Sequence, residues 1–203
     1  MAAKSKPAAV PDRRKVVNAL LAERGDLLVV AGLGAPAWDA TAAGDHPLTF
    51  PLWGGMGGAA SIGLGLALAQ PKRRVLVLTG DGEMLMGLGS LATIGVQRPR
   101  NLSVVVLDNE HYGETGMQPS HTRFGVDLAA AAKACGFVTA SELTTLTGVV
   151  KLRGEIHKAD GPLFAQIKIS PDKLPLVLPP RDGTELKNRF REALLGAQAH
   201  FQR

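Results

Sequence analysis

The sequence is poor in cysteine, holding Cys135 alone among 203 residues. One thiol closes no internal disulfide and builds no all-cysteine zinc or iron–sulfur site, so both frameworks are excluded for this chain by itself. Cys135 is expected to act as a small buried hydrophobe. Long apolar runs are also missing: none approaches the ~20 residues that span a bilayer. Met1 to Arg14 lacks the apolar stretch and small-residue cleavage site of a secretory signal, so a cytoplasmic protein with no membrane partner is expected. There is no dense basic stripe with interleaved aromatics. The formal charge of +5 is spread over the N-terminal tail, Lys72 to Arg74 and the C-terminal helix, and nucleic acid is not an expected partner. Such charge either steers small anions or is plain solvated surface. No GxxxxGK[ST] is present, which leaves a P-loop nucleotidase unsupported. Gly32-Leu33-Gly34 lacks the third glycine of a dinucleotide loop, and Pro36 interrupts the helix start that such a loop needs.

What is present suits a single domain with ample apolar content for a core. Residues 1–12 form a small, polar, proline-containing flexible leader expected to carry no chemistry, and residues 13–203 form the domain. Helical spacing begins at Arg13 and stops at Gly25. The apolar runs Leu27 to Ala31, Val75 to Leu78, Leu102 to Leu107 and Leu163 to Ile169 read as strands buried on both faces. Helical stretches separate them at Gly57 to Ala69, Met84 to Val96, Leu128 to Cys135 and Leu146 to Ala159. This alternation predicts an α/β fold, a parallel sheet flanked by helices on both faces. After Ser170 a proline-rich segment is extended and leads into a last amphipathic helix from Thr184 to about His200. Ligands of parallel sheets bind beyond the carboxyl ends of the strands, so the loops after strands are the places to search.

Gly80-Asp81-Gly82-Glu83 follows one strand directly and opens a helix. Two glycines permit close backbone approach to a ligand, and a helix start offers free N–H groups to an anion. A carboxylate at that position is available to a hard cation such as magnesium. One strand later, Asp108-Asn109-Glu110-His111-Tyr112-Gly113 ends the run VVVLD. Neighbouring strand ends let Asp81 and Asn109 converge on one ion that shares its shell with phosphate oxygens. A bare strand-to-helix turn is the plain alternative for Gly80 to Glu83.

Gly80-Asp81-Gly82 followed after a helix and strand by Asp108-Asn109 resembles the motif of thiamine-diphosphate enzymes, GDG and then NN. Trp53 to Gly63 resembles their loop and helix under the cofactor's pyrimidine. Tyr112 to Thr122 is similar to a segment of the sulfopyruvate and phosphonopyruvate decarboxylases, and Glu185 to Phe190 to their closing helix. The resemblance, which covers nearly the whole chain from Arg13, implies a subunit that binds the cofactor's diphosphate through Mg2+. In it, Asp81, the Asn109 side chain and the His111 carbonyl are the metal ligands. Met56 bends the cofactor into a V, and the Gly54 carbonyl accepts from its 4′-amino group. Gly34, Gly80, Gly82, Gly113 and Thr115 line the cofactor, Gly34 through a loop that a plain turn explains nearly as well. Glu83 is expected to contribute only its backbone N–H, its side chain being a solvated first-turn carboxylate. Asp108 departs from NN, which alters local charge but spares the ligand position.

His111 and His121, with Glu114 beside them, are candidates for proton donation or for binding an acidic substrate; solvent-facing or structural roles are the alternative. Gln118, His121 and Thr122 are candidate anion contacts. Trp53 faces either the pocket or the core. The resemblance further implies a small 2-oxo acid substrate, non-oxidative decarboxylation, and a hetero-oligomer. In that assembly a separate pyrimidine-binding, alpha-type subunit supplies the catalytic glutamate. Alternatives are a beta subunit of a 2-oxoacid oxidoreductase, which the lone Cys135 disfavours, a carboligase, or a non-catalytic phospholigand-binding protein.

Overall fold

A computed structural model of the protein describes residues 10–201. Most of the expected leader, residues 1–9, lies outside the described residues. Asp12 closes the leader as the N-cap of α1 (Arg13–Leu21), its carboxylate accepting from the Arg14 and Lys15 amides that a helix start leaves unpaired. The chain continues through β1 (Leu28–Ala31), α2 (Ala35–Ala42), β2 (Thr49–Pro51), α3 (Ala59–Ala69), β3 (Val75–Gly80), α4 (Asp81–Met86), α5 (Ser90–Gln97) and β4 (Leu102–Asp108). A small antiparallel hairpin, β5 (His111–Tyr112) with β6 (Gln118–Pro119), precedes α6 (Leu128–Ala134), β7 (Thr139–Leu143), α7 (Leu146–Lys158), β8 (Leu163–Lys168) and α8 (Gly183–Leu195).

The main sheet has six parallel strands in the order β2-β1-β3-β4-β8-β7, and the expected α/β class is the observed one. Alternation along each buried strand divides its side chains between two cores. Val75 and Val77 join Leu64, Leu91, Ile94, Leu128 and Phe190 on one face. Leu76 and Leu78 join Val17, Leu20, Ala37, Val149 and Leu152 on the other. Helices α3, α5, α6 and α8 therefore cover one face, and α1, α2 and α7 the opposite one. The strand order reverses between β1 and β3, so the loops after them splay apart and open a crevice there.

Three elements differ from expectation. Pro36 starts α2 rather than interrupting it, because a proline in the first helical turn removes an N–H that would have no partner. Strands β2 and β7 escape a sequence reading: the first spans three residues, and the second, Thr-Ala-Ser-Glu-Leu, lies half exposed at the sheet edge. The single helix expected from Met84 to Val96 is two, broken at Gly87-Leu88-Gly89. The break has a packing cause. A Cβ on Gly87 would lie 2.1 Å from the Gly57 carbonyl oxygen, so two backbones touch there and hold the loop before α3 against α4. Gly87→Ala should lower unfolding free energy by about 1–3 kcal/mol, the usual cost of overpacking, as read from a chemical denaturation midpoint.

Cys135 is half-buried against the first core rather than fully buried. Among the described residues no helix is long and apolar enough to cross a membrane.

Candidate functional site

Register places the ends of β3 and β4 side by side, with Gly80 opposite Leu107. The next residues, Asp81 and Asp108, are therefore neighbours at the carboxyl edge of the sheet, 2% and 1% exposed. A cavity of about 440 Å³ opens at this edge. Its walls include Met56, Gly80, Asp81, Gly82, Glu83, Asn109, His111, Gly113 and Thr115, which the sequence singled out. Further walls that it did not single out come from Leu33, Trp38, Leu107, Ile169 and the extended segment 171–176.

Polar partners surround the two aspartates. Ser120 Oγ donates to Asp81 Oδ2, and Thr122 Oγ1 donates to Asp108 Oδ1 at 2.8 Å. Asp108 Oδ2 accepts from Gln166 Nε2 at 2.6 Å and meets Lys168 Nζ at 2.8 Å. Lys168 also pairs with Glu110 at 2.9 Å. Burial alone would lower the Lys168 pKa, but Asp108 and Glu110 outweigh it and raise it, so the lysine stays charged. The departure at Asp108 thus brings its own countercharge. Asp81 has none. Burial pushes its carboxyl up to about 6; the Ser120 hydroxyl opposes this and the neighbouring Asp108 charge adds to it.

These donors suit a hard divalent cation. Asp81 offers a buried carboxylate without a cationic partner among the described residues, and Asn109 an amide oxygen that already accepts the His111 N–H at 2.9 Å. His111 is paired in the hairpin with Pro119, which has no N–H, so this pairing takes nothing from the His111 carbonyl. Beside Gly80 an added Cβ would meet nothing within 4 Å, which leaves room for a phosphorylated ligand against the ion. At Gly82 the close approach is instead to Tyr112, whose ring would be 2.6 Å from a Cβ.

Other expectations need correction. The Glu83 side chain is not solvated: it is 5% exposed and accepts from Thr79 Oγ1 at 2.8 Å. It fills the space beside Gly32, where a Cβ would fall 1.8 Å from Glu83 Oε2. Burial raises its pKa, opposed by the Thr79 hydroxyl and by the nearby Gly57, Ala59 and Leu33 amides, yet Oε1 has no hydrogen-bond partner among the described residues. Gly34 does not line the cavity, since the Glu114 carboxylate covers it; Gly54 lies outside the cavity walls as well. His121 is bound through Nδ1 to the Tyr112 hydroxyl at 3.0 Å and is not among the cavity walls. Thr122 is turned into the aspartate cluster, and Gln118 onto Thr115, instead of toward a substrate. His111 does line the cavity. Its Nδ1 faces the Asn109 carbonyl at 2.7 Å, and a carbonyl only accepts, so the neutral ring carries its proton on Nδ1 and its lone pair on Nε2.

Trp53 takes neither of the places left open for it. Its Nε1 donates to the Pro180 carbonyl at 2.7 Å, and the Arg181 guanidinium stands 5.9 Å from its ring, so it anchors the extended segment that walls the cavity. Sequence reasoning also missed Gln166 and Lys168. A glutamine inside an otherwise buried apolar strand is the available signal, because a buried amide requires partners.

The sequence model of the family described as "Thiamine pyrophosphate enzyme, C-terminal TPP binding domain" matches residues 36–167. Sulfopyruvate decarboxylase subunit beta of Methanothermobacter thermautotrophicus is 36% identical over 191 residues, covering 92% of this chain and 97% of that protein. Phosphonopyruvate decarboxylase of Streptomyces viridochromogenes is 39% identical over 186 residues, covering 91% of this chain and 46% of that protein. Among solved structures, benzoylformate decarboxylase from Polynucleobacter necessarius superimposes with a TM-score of 0.68 at 22% identity, over 85% of this chain and 36% of that one. That last likeness concerns the fold alone. The chain spans nearly all of the first relative, about half of the second and about a third of the solved structure. With a family match over most of the domain and a cavity at the paired ends of β3 and β4, the chain belongs to the thiamine pyrophosphate enzymes, as their C-terminal cofactor-binding domain.

Proposed function

We propose that the protein is the diphosphate-binding subunit of a cytoplasmic thiamine-diphosphate-dependent 2-oxo acid decarboxylase. It works with a separate pyrimidine-binding subunit that supplies the catalytic glutamate. The observation that carries this reading is the convergence of Asp81, Asn109 and Met56 on one cavity at the switch point of the sheet. Two relatives named as decarboxylases of sulfopyruvate and phosphonopyruvate support the reaction class, and the first is itself named a beta subunit.

Bound thiamine diphosphate would supply the electron sink that accepts the carbanion equivalent when carbon dioxide leaves a 2-oxo acid. This chain's residues hold and shape. Asp81, the Asn109 amide and the His111 carbonyl would hold Mg2+ and, through it, the diphosphate. Met56, in the cavity wall, would support the cofactor. Leu33, Trp38, Leu107 and Ile169 keep the inner wall apolar and exclude water, which strengthens charge interactions at the reacting end. His111, a cavity wall with its lone pair on Nε2, is the candidate to take or give a proton there.

The favoured substrate is a 3-carbon 2-oxo acid with a second anionic group, sulfopyruvate ahead of phosphonopyruvate. With Trp53 engaged by Pro180, the indole no longer argues for an aromatic acyl group. Steady-state rates of the assembled complex on sulfopyruvate, phosphonopyruvate, pyruvate and benzoylformate test this. Sulfopyruvate should lead by more than tenfold in kcat/KM, about 1.4 kcal/mol of transition-state binding. An apolar acid in the lead would end the anionic-substrate reading and leave the cofactor reading standing.

A further inference from the structure

The segment after the β5–β6 hairpin carries two hydroxyls to which the proposed function assigns no role. Ser120 is 0% exposed and Thr122 is 4% exposed. A hydroxyl so deep must have its hydrogen bonds inside the protein, and both find them on carboxylates. Ser120 Oγ lies within hydrogen-bond reach of Asp81 Oδ2, Thr122 Oγ1 is 2.8 Å from Asp108 Oδ1, and the two hydroxyl oxygens are 2.9 Å apart. Carboxylates only accept when ionised, so each hydroxyl spends its single proton on its aspartate. The result is a bridge from the end of β3 to the end of β4 built from one short loop. The loop is pinned by its backbone too: the Ser120 N–H donates to the Glu110 carbonyl at 2.8 Å.

Asp81 needs such a bridge. No lysine or arginine pairs with it among the described residues, while Asp108 beside it has Lys168 and Gln166. Asp81 is 2% exposed with a second carboxylate beside it, so its orientation depends on the hydrogen bonds that reach it. The Ser120 hydroxyl engages Asp81 through Oδ2. Thr122 Oγ1 packs 2.9 Å from Ser120 Oγ, lies 3.4 Å from Asp81 Oδ2 and is anchored on Asp108.

We propose that Ser120 and Thr122 are positioning residues. By hydrogen bonding they fix the Asp81 carboxylate as a one-oxygen ligand and tie cation affinity to the seating of the loop after the hairpin. The proposal rests on the cation reading above, and its test separates the two. In the assembled complex with saturating thiamine diphosphate, Mn2+ serves as the spin-visible probe, and its Kd is read by electron paramagnetic resonance. Ser120→Ala should weaken Mn2+ about tenfold, equivalent to about 1.4 kcal/mol. Thr122→Val, which keeps the shape and removes the hydroxyl, should weaken it by about threefold or more. Thr122→Ser, which keeps the hydroxyl, should bind within twofold of the parent. Ser103→Ala, a buried serine on β4 outside the site, should leave the Mn2+ Kd unchanged. If the parent complex binds Mn2+ and both Ser120→Ala and Thr122→Val match it, the bridge is overturned and the cofactor reading survives. If the parent binds no Mn2+ with the cofactor present, both are overturned. Should Ser120→Ala not fold, the Thr122→Val and Thr122→Ser pair decides alone.

Discussion

Asp81→Asn is expected to make the ligand-free protein more stable at pH 7.5 and to remove its stabilisation by magnesium and thiamine diphosphate. The two halves of this result have one cause. Asp81 is buried beside Asp108 with its carboxyl raised to about 6, so between the ordinary carboxylate range and that value the folded state binds a proton that the unfolded chain has released. Stability of the ligand-free form therefore falls as pH rises through that window, and at pH 7.5 the ionised side chain is a net cost. The neutral amide avoids it, which should be worth about 1–3 kcal/mol. A bound cation reverses the sign, because it needs the carboxylate. At a hundredfold excess over Kd the ligand pair should stabilise the assembled parent by about 2.7 kcal/mol, and Asp81→Asn, Asp81→Ala and Asn109→Ala should each abolish that gain. Thermal unfolding with and without both ligands measures it. The same shift in all three variants as in the parent would end the metal assignment. Cation affinity of the parent should likewise weaken as pH falls below about 6, when Asp81 takes up its proton.

The purified chain on its own is expected to turn over a 2-oxo acid at least about a thousandfold more slowly than the chain with its pyrimidine-binding partner. A positioned acid or base contributes typically 10²–10⁴-fold, and the glutamates around this cavity are committed elsewhere. Glu83 is held under Gly32 by Thr79, and Glu114 lies against Gly34 at the start of α2. On the proposed reading, proton exchange with the pyrimidine falls to the glutamate of the partner subunit. Initial rates with the chain alone, the partner alone and the mixture decide this. Turnover by the isolated chain at the rate of the mixture would refute the shared-site reading.

Much of this architecture was legible from residue order. A parallel strand covered on both faces is apolar along its whole length, so Val75 to Leu78, Leu102 to Leu107 and Leu163 to Ile169 announce themselves. Gly80-Asp81-Gly82 at a strand end and Asn109 one strand later marked the right edge of the sheet. The extra turn in the helix pattern did not show: α4 and α5 share one apolar periodicity, and only the backbone contact between Gly87 and Gly57 separates them. Glu83 misled because a first-turn glutamate reads as solvated, whereas here the crossing loop at Gly32 covers it.

Strand periodicity by itself determined the α/β class, and the residues that follow two of those strands marked Asp81 and Asn109 as candidates, since both signals depend on residues close in the chain. Tertiary structure alone decided which side chains surround those two. The Ser120 and Thr122 hydroxyls, the Gln166 amide and the Lys168 ammonium reach Asp81 and Asp108 across 14 to 60 positions. Such pairings follow from strand order and register, and a buried charge accepts only the partners that this packing brings within about 3 Å.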